Sequence, residues 1–327
     1  MLNIFRSNNI FSIVALFLVT IGIRIFPYFS FQPIELSINA PLAQFFFNYW
    51  KLLGPASNVD FAFATLVIYL QSLQINYITT QHNVLHKDSM LPALMYVTLN
   101  SIYPEQMVLS PQMIANTFLL LIIQRLFYLY ESNKPLYLVL DSGMYLGLAI
   151  LFNYDVINYL PFILISVVAM TSFNIKYLLV AIIGIIVPIY FTTALFYLSN
   201  HLNDFMAFVE LSFTKTYFIK IAIDPITAIP WFVMLSLLLY TGFNIQSNFY
   251  KNNVKSRRVL LTLGLLLLFS LLIVPLEDKN FIFNLIYLST PTSMLVAYFF
   301  LSSKRFYLKE IFYLFFVASC FYFQLIH

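Results

Sequence analysis

The chain has 327 residues, 61% of them hydrophobic and 9% charged, with a formal net charge of +4 and a mean hydropathy of +0.86. That balance excludes a water-soluble globule, whose surface needs far more charge. Continuous apolar runs without two-residue alternation exclude a β-barrel and predict an all-α, polytopic transmembrane helix bundle.

A helix needs about 20 apolar residues to cross the hydrocarbon layer, and on that measure the chain offers roughly ten or eleven spans. In chain order they fall near residues 10–28, 61–78, 89–101, 112–130, 136–153, 158–172, 177–198, 225–245, 259–276, 281–302 and 310–326. The third and sixth are short, which fits segments that are tilted, partly re-entrant or buried among other helices. Arg6 precedes a long first run with no small-residue cleavage site, so a retained first helix is expected rather than a signal peptide.

The charges assign an orientation. With a cytoplasmic N-terminus the inner segments hold Arg6, Lys87, Arg125, Lys134, Lys176, Lys251, Lys255, Arg257, Arg258, Lys304, Arg305 and Lys309, twelve bases in all. The outer loops hold four, Lys51, Lys215, Lys220 and Lys279. Lys and Arg concentrate in cytoplasmic loops, so the N-terminus is expected inside and, with eleven spans, His327 outside. The acids distribute the other way: nine of thirteen, including Glu35, Asp60, Glu105 and Asp155, fall outside. Orientation and anionic headgroups account for the basic inner loops at 251–258 and 304–309, and nucleic acid is not an expected partner.

The first outer loop, about 28–60, is too long for a simple turn. Asn39 and Pro41 form a helix start, Gly54 and Pro55 a stop, and Gln44, Asn48 and Lys51 recur at i, i+4 and i+7 among aromatic and aliphatic residues. The pattern predicts a helix lying in the outer interface, or equally a lid packed on the bundle. The loop around 199–224 carries Lys215 and Lys220 among Thr and Tyr residues, cations suited to a lipid phosphate or to ordinary headgroup contact.

Three ionisable residues fall at membrane depth: Arg24 in the first span, Arg125 toward the inner end of the fourth and Asp141 in the fifth. Arg24 is expected to snorkel to the interface, or else to bind an anionic headgroup or pair with an outer acid. Asp141 is expected to pair with Arg125 or Lys134. Gly143 and Gly147 give a GxxxG spacing that predicts close helix packing. Cys320 stands alone, which excludes an intrachain disulfide or cysteine cluster. His82 and His86, spaced i, i+4 beside Asp88, have metal-ligand spacing, but His201 and His327 are expected on the opposite side, so neither a metal nor a cofactor is expected.

The stretch from Leu91 to Tyr130 contains Pro92-Ala93-Leu94, Asn100-Ser101, Pro104-Glu105, Leu109-Ser110-Pro111, Ile114-Ala115-Asn116 and Gln124-Arg125-Leu126-Phe127. With Asp141 to Phe162 and Gly184 to Phe191 it resembles a family of uncharacterised bacterial polytopic inner-membrane proteins, some of which carry the label beta-carotene monooxygenase. The histidine distribution gives that label no support. The resemblance divides the single membrane domain into a family-like module over 1–210 and further helices over 211–327.

More distantly, the layout is similar to C-type glycosyltransferases, which take a sugar from a polyprenyl phosphate donor using an acid in the first outer loop and cations for the lipid phosphate. Related sequences carry an Asp before a motif similar to Ala40-Pro41-Leu42. This chain departs from them, being shorter between Phe26 and Ala40 and offering Glu35 instead. The resemblance implies Glu35 as general base, Asp155 or Asp60 positioning the acceptor or a metal, and Arg24, Lys215 or Lys220 on the leaving phosphate. Two other functions stay open: a non-catalytic scaffold or lipid-binding partner of envelope-assembly proteins, and a carrier for a hydrophobic or lipid-linked solute.

Overall fold

The computed structural model describes residues 2, 4–25, 38, 40–52, 57–82, 84–85, 87–203, 205–207, 209, 225–248, 253–274, 281–302 and 306–326. The α-helices are α1 (Ile10–Arg24), α2 (Pro41–Leu52), α3 (Ser57–Gln81), α4 (Leu91–Leu99), α5 (Pro111–Tyr128), α6 (Pro135–Phe152), α7 (Leu160–Met170), α8 (Ile175–Leu198), α9 (Pro225–Asn248), α10 (Val254–Ile273), α11 (Phe281–Ser302) and α12 (Phe306–Ile326). No strand occurs among the described residues. Among the described residues seven helices, α3, α5, α6, α8, α9, α10 and α11, are long and apolar enough to cross a membrane, so the chain is an integral, multi-pass membrane protein. α1 and the continuous stretch Tyr154–Met170 are apolar but shorter.

The hydrophobic effect cannot sort residues within lipid, so burial in the bundle separates central helices from peripheral ones. In α11, 83% of the apolar stretch is buried, against 28% in α8 and 22% in α9. α11 is therefore the central helix, packed against α4, α5, α9 and α10. α8 and α9 display Ile183, Tyr190, Phe191, Phe232, Leu239 and Phe243 outward, the expected dress of a lipid-facing surface.

The GxxxG spacing does what close packing requires. Among the described helices α6 and α8 make the most extensive contact. A methyl group added at Gly184 of α8 would stand 2.6 Å from Leu140 O, and one at Gly147 of α6 would stand 2.6 Å from Ile185 O. Only glycine lets these backbones approach so closely. Pro188 of α8 sits over Gly147, so its ring fills the space a side chain would occupy.

The helix expected in the first outer loop is present as α2, beginning at Pro41; Gly54 and Pro55 lie outside the described residues. Gln44, Asn48 and Lys51 are exposed, while Ala43 and Phe47 are buried. Phe46 meets Phe152 of α6 edge-on, ring centres 6.3 Å apart. α2 is thus packed on the bundle while also exposing Phe45 and Tyr49.

The short third run is a genuine half-helix. At about 1.5 Å per residue the nine residues of α4 cover roughly 14 Å, under half the hydrocarbon thickness. Every residue of α4 is buried. From Asn100 the chain leaves the helix, makes a 3₁₀ turn at Pro104–Met107 and enters α5 at Pro111, where Ser110 Oγ accepts from Met113 N at 3.3 Å. Irregular backbone between apolar helices is tolerated only where protein covers it.

Candidate functional site

The broken end of α4 gathers buried polar side chains from α1, α11, α12 and the loop that follows it. A helix end leaves its last carbonyls without intrahelical donors, and inside an apolar bundle each must find one. Tyr96 O accepts from Asn100 N at 3.1 Å and Asn100 Nδ2 at 2.8 Å. Val97 O accepts from Ser101 Oγ at 2.8 Å, and Thr98 O from Ser101 N at 3.2 Å and Cys320 Sγ at 3.4 Å. Ser101 O accepts from Gln324 Nε2 at 3.2 Å. Asn100 O accepts from Arg24 Nη2 at 2.8 Å.

Arg24 is fully buried, which corrects the expectation that it snorkels to the interface. Its Nε donates to Ser101 Oγ at 3.0 Å, and Nη2 also reaches Gln106 O at 3.4 Å. The guanidinium, carried on the last residue of α1, therefore caps the negative end of the α4 dipole. Nη1 makes no hydrogen bond, and no carboxylate pairs with Arg24 among the described residues. A helix terminus supplies only a partial charge, so no full counter-charge meets the guanidinium among the described residues.

Behind Arg24 runs a polar seam to α11, α3 and α5. Asn100 Nδ2 donates to Ser289 Oγ at 2.8 Å. Tyr96 donates from its hydroxyl to Gln71 Oε1 at 2.6 Å and accepts from Asn116 Nδ2 at 2.8 Å, and Asn116 Oδ1 accepts from Thr290 Oγ1 at 3.1 Å. Gln71 Nε2 donates to Met113 O and Thr117 Oγ1, each at 2.8 Å. Gln106 Nε2 donates to Ile282 O at 2.8 Å and Gln324 Nε2 to Ile23 O at 3.0 Å, which turns both Oε1 atoms the other way, buried and without a hydrogen bond. Asn284 of α11 is wholly buried with neither amide atom bonded.

Of the acids named from sequence, Asp60 lies in the first turn of α3 and accepts from Trp50 Nε1 of α2, so it ties the two helices together. Asp155 is buried in the 3₁₀ turn Tyr154–Tyr159 after α6; Asn153 Oδ1 accepts from its backbone N at 3.3 Å and Asn153 Nδ2 donates to the Tyr287 hydroxyl of α11 at 2.8 Å. Tyr287 and Ser289 share α11, so this helix links the Asp155 turn to the Arg24 seam. Glu35, Lys215 and Lys220 lie outside the described residues.

Asp141 pairs with Arg125, Nε to Oδ2 at 3.2 Å, in line with the expectation. His82 is buried beside Tyr128 and Phe127, ring centres 4.5 and 5.5 Å away, with neither ring nitrogen hydrogen-bonded. Burial, reinforced by Lys255, pushes its pKa down from the ordinary 6.5 to about 4, so the ring is neutral near pH 7. His86 lies outside the described residues, and no group of three metal-ligand side chains occurs among the described ones.

Sequence reading missed Asn100, Ser101, Gln106, Ser289 and Gln324 as neighbours of Arg24. A signal existed in the polar run Asn100 to Gln106 after an unusually short apolar segment, and in Ser289-Thr290-Pro291-Thr292-Ser293 at the middle of a long one. Comparison with protein-family models, curated proteins and solved structures yields no match.

Proposed function

We propose that this protein binds a lipid-linked phosphate at the Arg24 end of its bundle, as a glycosyltransferase-like protein of the bacterial inner membrane acting in cell-envelope biogenesis. The observation that carries the reading is Arg24 itself: wholly buried, without a carboxylate partner among the described residues, and with Nη1 unbonded. A desolvated guanidinium in that state favours an anionic oxygen, with which it forms charge-assisted hydrogen bonds. Under the proposed orientation, N-terminus inside, this end of α1 faces outward, and the chain runs on from it into the segment 26–37 that holds Glu35. The resemblance to C-type glycosyltransferases supplies the rest: a polyprenyl phosphate sugar as donor, Glu35 as base, Asp155 or Asp60 in support, and Lys215 and Lys220 as further phosphate cations.

The test is binding of a polyprenyl phosphate to the purified protein in nanodiscs, read by native mass spectrometry against phosphatidylglycerol. Arg24→Lys, which keeps the charge but loses the fork, is expected to weaken binding about tenfold. No preference for the polyprenyl phosphate in the wild type would refute the reading.

A second reading, a non-catalytic lipid-binding scaffold, is favoured by Asp60, whose carboxylate is engaged in holding α2 to α3. Lipid-linked sugars and surface glycans in wild type, deletion and Glu35→Ala strains separate the two. Full rescue of the deletion by the alanine variant supports the scaffold; failure to rescue supports catalysis.

A further inference from the structure

At the end of the bundle where α5 and α3 finish, a groove of about 490 Å³ lies outside the Arg24 seam, walled by Tyr77 of α3, Arg125 and Tyr128 of α5, the turn at Glu131 and Ser132, and Leu138 of α6. We propose that this groove holds the headgroup of a phosphoethanolamine lipid from the adjoining leaflet.

The chemistry of the walls is bipolar. At one side stands the Arg125 guanidinium, whose side chain is 32% exposed and whose Nε faces Asp141 at 3.2 Å. Beside it the Tyr77 and Tyr128 hydroxyls are 3.1 Å apart. A hydroxyl pair uses one of its two protons internally, so the second remains available to an outside acceptor. Guanidinium and phenol together form a donor pocket suited to a phosphate oxygen. At the other side Glu131 receives Lys255 Nζ on Oε1 at 2.8 Å, while its side chain stays 56% exposed. Its second oxygen is an acceptor suited to an ammonium group, and Ser132 Oγ, which accepts from Lys134 N at 3.0 Å, has a second lone pair to offer.

Charge balance selects the headgroup. Arg125 and Lys255 are cancelled by Asp141 and Glu131, so the groove is neutral as a whole but separated into a donor side and an acceptor side. A neutral site gains nothing from a net anion, whereas a zwitterion with phosphate and ammonium in one short headgroup matches both sides. The lipid origin follows from the surroundings: Leu136 and Tyr137 on the neighbouring turn of α6 and Tyr77 itself are exposed, providing apolar surface for acyl chains beside a polar slot.

Native mass spectrometry of the full chain in nanodiscs of mixed phosphatidylethanolamine and phosphatidylglycerol tests this. The wild type is expected to retain phosphatidylethanolamine selectively, and Arg125→Gln and Glu131→Gln are each expected to cut that retention about tenfold. Lys176→Gln, an exposed change outside the groove, leaves it unaltered. Should either charge variant fail to fold, Tyr128→Phe removes only a hydroxyl and is expected to cut retention about threefold. Selectivity absent from the wild type, or undiminished in the folded variants, overturns the proposal. Competition by water-soluble phosphoethanolamine as effective as that by the lipid overturns the lipid assignment.

Discussion

Two helix contacts inside the same bundle are held by opposite means. α6 and α8 meet through Gly143, Gly147 and Gly184, backbone against backbone, with the Pro188 ring filling what the glycines leave. α4 and α11 meet through Asn100, at the end of α4, and Ser289, with Asn116 of α5 bonded to Thr290 beside them, side chain against side chain by hydrogen bonds. The first contact offers no donor or acceptor to a ligand, so its whole effect is to fix geometry. The second is built around a helix that stops within the bundle, and stopping leaves carbonyls that require donors, among them a guanidinium with one nitrogen unspent. Sterics make the scaffold and polar accounting makes the site.

The largest effect expected from breaking the comparison is at the glycine contact. Gly147→Leu forces a branched side chain onto Ile185 O and Pro188, where neither backbone can retreat. Overpacking of this kind costs about 3 kcal/mol or more, and the variant should lose most of its monodisperse protein on size-exclusion chromatography. A well-folded Gly147→Leu protein would show that the α6–α8 contact is not rigid.

An intermediate effect is expected from Tyr96→Phe, which keeps the ring and removes only the hydroxyl. Asn116 Nδ2 and Gln71 Oε1 then lose their shared partner inside the bundle. The cost is about 1.5 kcal/mol, measurable by steric trapping or by a lower Tm in detergent. No change would mean that water or lipid reaches the seam.

The two contacts also differ in how far the sequence reveals them. Gly143 and Gly147 lie four residues apart on one helix, so their close approach is a local pattern, as is the α2 start at Pro41. The Arg125–Asp141 pair was legible too, because both residues fall near the same end of consecutive spans. Arg24 was not. Its surroundings come from Asn100, Gln106 and Gln324, the last hydrogen-bonded 301 residues away at Ile23. A guanidinium near a span end ordinarily snorkels to the interface, and only the interruption of α4 supplies the carbonyls that hold it inside.

A smaller effect separates the two sides of the seam. Ser289→Ala removes the hydroxyl that accepts from Asn100 Nδ2 and reaches Asn100 Oδ1, but leaves Asn100 Nδ2 bonded to Tyr96 O. With one partner retained, the loss should be about 0.6 kcal/mol, the common value for a hydrogen bond between membrane helices. A loss as large as that of Tyr96→Phe would place the seam's centre at α11 rather than α4.

The effect that is smallest at neutral pH, where it vanishes, comes from outside both contacts and sharpens them by contrast. The glycines bring no titratable side chain to their contact, and an arginine keeps its charge between pH 4 and pH 7. His82 does titrate, and its pKa is about 4 in the folded chain against 6.5 ordinarily. Between those values the unfolded chain binds the proton and the folded chain does not, so stability falls as pH drops from 6.5 toward 4 and changes no further on that account below it. Lys255 adds to the depression and Glu131 opposes it. His82→Phe, seated between the Tyr128 and Phe127 rings, should remove this part of the acid sensitivity while leaving stability at pH 7 within about 1 kcal/mol. Thermal unfolding from pH 7 to pH 4 in both proteins checks it. If the variant loses stability as steeply as the wild type, the acid-labile group lies elsewhere, and the junction of α3 with α5 is as indifferent to pH as the glycine contact.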